Sequence, residues 1–261
     1  MKNLKIISVF IVMIIAVGFS PEVSGQDLSG KDIIEKVYNR PSGDDQTSDL
    51  SMTLIHKSGA QRVRIIKQFS KDLGEVEKSI MFFLSPADVK NTSFMSWTYD
   101  SDQSDDQWIY LPALKKTKRI SSDSKSDSFM GSDFTYDDLG DRKLEDDTHK
   151  LLREETMDGK ECYVVESIPK DEDYIYSKTL VWVNKSNFIG MKKEFYDEDE
   201  DLLKVLSIKE VNEISGIWLI TNSEMKNVQK DHKTSIVLKN IQINTGMSAS
   251  KFTERMMIRG L

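Results

Sequence analysis

The sequence predicts a mainly β protein whose antiparallel sheet curls into a barrel or a half-barrel. Three observations support this class. Apolar and polar residues alternate in many short segments, turn residues separate many of these segments, and a single helix is indicated near the start. Many short strands at close spacing, joined by tight turns, are typical of such a sheet. One helix and roughly ten to twelve strands do not make a fold of alternating strands and helices.

The helix is expected just before the strands begin. Ser29 can cap it, and Asp32 stands at the third position, where a capping box places its second partner. Ile33, Ile34 and Val37 form an apolar stripe. The helix should end near residues 39–43, because Pro41 disfavours helical backbone in the residue before it.

Period-two alternation then takes over, with Leu50, Met52 and Leu54 sharing one face. The return strand follows a turn at Ser58-Gly59. A long hairpin is predicted around Ser215-Gly216, and Lys204 is expected at a solvated position on its first strand. Residues 121–128 are polar and of low complexity, which predicts a loop, and the tail is expected to end in a short helix or strand. Further strands are predicted at 75–84, 93–100, 106–111, 115–120, 160–168, 178–184, 189–197, 202–212, 217–227 and 234–242.

Composition excludes several classes of protein. The 261 residues include 36 Lys and Arg against 43 Asp and Glu, a net charge of -7 that argues against nucleic acid as a partner. The single Cys162 forbids an internal disulfide or a multi-cysteine metal site, and three scattered histidines disfavour a zinc hydrolase. We therefore predict no metal and no cofactor.

Residues 1–25 have the three parts of a secretory signal peptide. Lys2 and Lys5 precede an uncharged apolar run over 6–19, and small residues follow at 23–25. As a helix, the run would span about 21 Å, short of the roughly 30 Å of a bilayer core. An uncleaved membrane anchor is the alternative. We expect residues 26–261 to form a single domain outside the cytoplasm.

Residues 91–139 are unusually aromatic, and two interpretations compete. The residues can simply pack a core, or they can line an apolar cavity that accepts acyl chains, since a curved sheet can enclose a face that its own side chains do not fill. The cavity hypothesis assigns the lining to Phe83, Phe94, Trp97, Trp108, Tyr110, Phe129, Met130, Phe134 and Tyr136.

A basic run within this acidic protein suggests a rim. Lys116, Lys118 and Arg119 could attract anionic lipid head groups, dock an acidic partner, or pair with acidic residues of the same chain. A hydrolase is disfavoured because no G-x-S-x-G motif is present. Ser132 and His149 remain its only candidates.

Several long stretches of the sequence resemble a known protein family. Residues 85–139 read SPADVKNTSFMSW, then DDQWIYLPALKKTKRIS, then KSDSFMGSDFTYDDL, and residues 38–64 read YNRPSGDDQTSDLSMTLIHKSGAQRVR. These stretches resemble sequences of the outer-membrane lipoprotein-sorting protein family, relatives of the periplasmic lipoprotein carrier LolA. The resemblance covers about residues 40–261.

The resemblance implies a fold and a role. The fold is an unclosed half-barrel, a strongly curved antiparallel sheet with helices plugging its open side. The role is a non-catalytic periplasmic carrier that binds the acyl chains of a lipoprotein or lipid and moves them toward the outer membrane, with transient membrane contact. Many members resemble accessories of transporters of the resistance-nodulation-division type in the inner membrane. The alternative is an accessory module that docks on such a transporter, or on another envelope protein, without cargo. By strand position, Arg62 or Arg64 would be the family's functional arginine.

Overall fold

The computed structural model describes residues 28–101 and 103–261. The predicted signal peptide, residues 1–25, lies outside the described residues. The described chain has two α-helices and one antiparallel sheet of thirteen strands, and none of these helices is long and apolar enough to cross a membrane. The elements are α1 (Gly30–Tyr38), β1 (Asp45–Ile55), β2 (Gln61–Asp72), β3 (Val76–Ser85), β4 (Ser93–Tyr99), β5 (Asp106–Leu111), β6 (Lys116–Arg119), β7 (Asp147–Met157), β8 (Lys160–Pro169), β9 (Lys178–Asn184), β10 (Gly190–Tyr196), β11 (Leu202–Ile214), β12 (Ile217–Asn227), β13 (His232–Ile243) and α2 (Glu254–Arg259).

The predicted helix is confirmed, together with its cap. The backbone N–H of Asp32 donates to the Ser29 hydroxyl at 3.2 Å, and the Asp32 carboxylate accepts from the Ser29 N–H at 2.9 Å. Ile33 and Ile34 are buried against Val165 and Val183 of β8 and β9. Packing against the sheet explains the helix's stability, because nine residues are marginal as an isolated helix.

The sheet places β6 at one edge and β7 at the other, in the order β6-β5-β4-β3-β2-β1-β13-β12-β11-β10-β9-β8-β7. The chain between these edge strands, residues 120–146, lies across one face of the sheet, and we call it the cover. It holds four 3-10 turns, and the structure describes no α-helix or named strand in it. The long hairpin predicted at β11 and β12 is confirmed.

Contacts of the cover show how strongly the sheet curls. The Gln107 side chain of β5 donates to the Tyr136 carbonyl at 2.9 Å, and Lys204 of β11 forms an ion pair with Asp138. On a flat sheet, β5 and β11 would be seven strand spacings apart, or about 34 Å. Residues two apart span only about 7 Å of chain. The sheet therefore wraps around the cover.

The sheet has an inner face, toward α1 and the cover, and an outer face. On the inner face Leu50, Met52 and Leu54 of β1 are buried, as their alternation predicts. On the outer face the C-terminal segment, residues 244–261, packs on β2 to β4 through Phe252 and Met257. The sheet does not close into a barrel, and α1 with the cover fills its open side. This confirms the predicted fold class.

Asp45 fixes the C-terminal segment to the first strand. Its buried carboxylate accepts hydrogen bonds from the N–H groups of Thr245 and Met247, each at 2.9 Å, and from the Thr245 hydroxyl at 2.7 Å. Burial raises the pKa of Asp45, but these hydrogen bonds outweigh burial and hold it at about 2.

Candidate functional site

The structure divides the nine predicted lining residues between the two faces. Six lie on the inner side, where strands meet the cover, and three lie on the outer side with the C-terminal segment. The inner residues are Phe83, Phe94, Phe129, Met130, Phe134 and Tyr136, and the outer residues are Trp97, Trp108 and Tyr110. The structure therefore does not bring the nine together around one space.

Aromatic rings from the cover pack directly on the inner face. The ring of Phe129 lies 5.1 Å from that of Phe94 and 6.1 Å from that of Phe83, between centroids. Tyr136 adds contacts at 5.6 Å to Phe129 and 5.9 Å to Phe94. Phe83, Phe94 and Phe129 are at most 1% exposed, so in this conformation the cover's own side chains occupy the inner face of β3 and β4.

The outer aromatic residues form a separate layer. Trp97 and Trp108 meet edge to face at 5.2 Å, and the Lys78 ammonium lies 3.5 Å from the Trp97 ring centroid. Together with Tyr110 they pack against the buried cluster that holds Phe252 of the C-terminal segment. Their surroundings are those of structural packing.

The three predicted rim residues lie on the short edge strand β6. Lys116, Lys118 and Arg119 are all exposed. Arg119 pairs with Asp106 of β5, so one member of the basic run is engaged within the chain.

Polar contacts fasten the cover to the sheet. The Asp133 carboxylate accepts from Thr234 of β13 at 2.7 Å and lies 2.8 Å from the His232 ring. At the far end, Arg142 donates to Asp147 of β7 at 2.6 Å. Between them stands the ion pair of Lys204 and Asp138.

Lys204 was expected to be solvated, and that prediction is wrong. Its side chain is 2% exposed and Asp138 is 5% exposed. The position faces inward, where the cover lies over β11, and alternation along a strand does not reveal which face a distant segment covers. Burial lowers the pKa of Lys204, and Asp138 opposes that shift by favouring the charged form. Asp138 also accepts from the Tyr176 hydroxyl at 2.9 Å.

Three cavities are lined partly by the cover, and two of them share a pair of aromatic lining residues. The larger of these two, about 750 Å³, opens where the cover meets the turns at one end of the sheet, and its lining is largely polar. The smaller, about 160 Å³, lies deeper and includes Phe195, Leu206 and Met225 in its wall. Phe134 and Tyr176 line both cavities, and each is at most 8% exposed, so these two rings form the partition between them.

The smaller cavity also contains an inward-facing lysine that the sequence did not single out. Burial lowers the pKa of Lys193, while Asp138 and Asp147 oppose the shift. Arg64, one of the two arginines chosen by strand position, is buried beside Met52 on the inner face, whereas Arg62 is exposed.

The hydrolase candidates are engaged elsewhere. The two ring nitrogens of His149 lie 2.8 Å from the Ser167 hydroxyl and 3.0 Å from the Leu144 carbonyl. The Ser132 hydroxyl contacts the backbone of Phe134. Among the residues that the structure describes, no group of three or more His, Cys, Asp or Glu is arranged to hold a metal ion.

An open, strongly curled antiparallel sheet whose inner face is filled by a helix and a long covering segment defines the LolA-like class of folds. Solved structures place the chain more closely. A DUF1329 family protein from Desulfovibrio piger is 30% identical over 87% of this chain and 97% of its own, with a TM-score of 0.83. A domain assigned to outer membrane lipoprotein sorting, from Vibrio parahaemolyticus, is 32% identical over 88% and 98%, with a TM-score of 0.83.

The chain belongs to the family of these two relatives, the DUF1329 family, and the Vibrio relative carries the outer-membrane lipoprotein-sorting label predicted from residues 38–64 and 85–139. A family model described only as an uncharacterized protein matches residues 75–259. A LolA superfamily protein from Nitrosomonas europaea shares the fold at 22% identity, covering 87% of this chain and 99% of its own, with a TM-score of 0.67. The search of curated proteins finds no match.

Proposed function

We propose that this protein is a periplasmic carrier that shelters acyl chains of a lipid or lipoprotein on the inner face of its sheet and carries them toward the outer membrane, without catalysis. One observation carries the proposal: the inner face of β1 to β5 holds one large apolar cluster, and its cover is an irregular segment held by a few polar contacts rather than by paired strands. The lipoprotein-sorting assignment of the Vibrio relative supports it.

Energetics favours exchange between the cover and an acyl chain. Each buried methylene is worth about 0.8 kcal/mol, so exposing a sixteen-carbon chain to water costs on the order of 12 kcal/mol. In the closed protein, Phe129 and Tyr136 occupy the same apolar surface. An acyl chain that enters displaces these rings, so the apolar inner face stays shielded from water with or without the ligand. Net affinity is the difference between two similar burial energies, which keeps release feasible.

The site we propose uses part of the predicted lining. Phe83 and Phe94 form its floor, and Phe129, Met130, Phe134 and Tyr136 belong to the cover that moves. Trp97, Trp108 and Tyr110 support the opposite face and are outside the proposed site.

The proposal also includes where the protein is located and which partner delivers its cargo. We place residues 26–261 in a single domain released after cleavage of residues 1–25. Lys116 and Lys118, exposed on β6, would meet anionic head groups during brief membrane contact. An inner-membrane transporter of the resistance-nodulation-division type is the partner proposed to deliver cargo.

The test is binding of a dansylated fatty acid to the delipidated full-length mature chain, followed by fluorescence. Phe129→Ala, in the cover, should tighten binding because the ring that competes for the inner face is gone. Phe82→Ala is the matched control: Phe82 is equally a buried phenylalanine, but it lies on the outer face. It should leave affinity per folded molecule unchanged.

A wild-type protein that binds no acyl probe would reject the carrier. The absence of lipid from protein purified out of native membranes, together with co-purification of a transporter, would instead favour the accessory module.

A further inference from the structure

The larger cavity is polarised from one side to the other. Four connections at the same end of the sheet line it: β1–β2, β12–β13, β10–β11 and β8–β9, in that spatial order. The first two contribute His56 and Lys230, and the last two contribute Glu198 and Asp173. In these turns, basic residues therefore stand on one side of the cavity and acidic residues on the other, with neighbouring turns about 10 Å apart.

These charges are available to a ligand. Lys204, which also lines the cavity, is paired with Asp138, and Asp133 is shared between His232 and Thr234. By contrast, among the described residues neither Lys230 nor Glu198 forms an ion pair. The cavity thus presents a free cation and a free anion.

The deeper cavity is partly apolar. Phe195, Leu206 and Met225 belong to its wall, which also includes the charged Lys193, Asp138 and Asp147, and Phe134 and Tyr176 line both cavities. A dipolar chamber that meets apolar side chains beyond two aromatic rings matches an amphiphile with a zwitterionic head.

We propose that the larger cavity is the head-group site for a zwitterionic phospholipid, with the phosphate toward Lys230 and His56 and the ammonium toward Glu198 and Asp173. The acyl chains pass the ring of Phe134 toward the inner face. This inference rests on the proposed carrier function and names its cargo class. An acylated peptide has no phosphate for the basic side of the cavity and is the competing cargo.

The test uses competition against the dansylated fatty acid. Short-chain phosphatidylethanolamine, phosphatidylglycerol with the same chains, and a diacylated lipopeptide compete in turn. We expect phosphatidylethanolamine to compete up to about fivefold better than phosphatidylglycerol, the upper end of what one exposed charge pair provides. Glu198→Gln should remove most of that preference, because the two phospholipids differ in the ammonium that Glu198 faces. Glu213→Gln, at an exposed glutamate of β11 outside the cavity, should keep it.

The outcomes separate the two proposals. Equal competition by both phospholipids, or tighter binding of the lipopeptide, overturns the head-group site while the bound fatty-acid probe leaves the carrier intact. Failure of every acyl compound to bind overturns both. Phe134→Ala gives a second measurement: it should speed probe entry in stopped flow, and an unchanged rate rejects the route past this ring.

Discussion

Replacing Lys204 by methionine removes one half of the buried ion pair that holds the cover on β11. The two side chains are 2% and 5% exposed, so the Asp138 carboxyl group would lose its partner in a place that water scarcely reaches. Breaking such a pair costs about 3–5 kcal/mol, most of it the penalty of the charge left behind. Asp138 retains hydrogen bonds from the Tyr176 hydroxyl and the Thr135 N–H, which places the expected loss near 3 kcal/mol.

A double-mutant cycle isolates this penalty. Lys204→Met combined with Asp138→Asn removes both charges of the pair, and asparagine still accepts from Tyr176. The double variant should therefore be more stable than Lys204→Met alone, with a coupling energy of about 1–3 kcal/mol. Urea denaturation at pH 7 measures all four proteins.

An exposed pair provides the comparison. Lys178 and Glu200 lie 2.6 Å apart, but Glu200 is 66% exposed, and Lys178→Met should cost at most about 1 kcal/mol. If Lys204→Met costs no more than Lys178→Met, the pair does not clamp the cover. If the cover does cap the inner face, Lys204→Met should also release the acyl probe faster than wild type.

Two further predictions concern the frame around the site. Asp45→Asn should lose about 2 kcal/mol at neutral pH, because the folded pKa near 2 lies below the ordinary value of 3.8. That stabilisation is present above about pH 4 and disappears as pH falls toward 2, so the variant and wild type should converge in acid unfolding, and a constant gap contradicts the clamp. Gly30→Ala should destabilise the protein by about 1–3 kcal/mol, since a methyl group there would meet the backbone of Lys150 and Leu151 at 2.6–2.7 Å. A thermal melt measures it, and an unchanged melting temperature refutes the close approach of α1 to β7.

Strands with one buried face could be read from the sequence, and an edge strand could not. Alternation predicts β1 because Leu50, Met52 and Leu54 all face the core. The same alternation did not predict strand β7. This strand pairs only with β8, and most of its residues are exposed or half-buried, so no apolar rhythm marks it.

The sequence predicted that aromatic residues would lie in the interior, but not on which face of the sheet each of them would lie. Aromatic residues at 91–139 pointed to an apolar interior, yet β4 carries Phe94 inward and Met95 and Trp97 outward. Alternation separates the residues of a strand into two faces, but it does not tell which other segment packs on each face. In this protein the cover packs on the inner face and the C-terminal segment packs on the outer face. The inward lysines were missed for the same reason: their burial depends on segments remote in sequence.

An open sheet ends in two rows of unpaired backbone groups, and any strand from another molecule could add to them. Strand β6 is four residues long and reads Lys-Thr-Lys-Arg. A second copy attempting to extend the sheet there would bring like charges together along a very short ladder. At this edge, the sheet can therefore stay open while strand addition by a second copy is disfavoured.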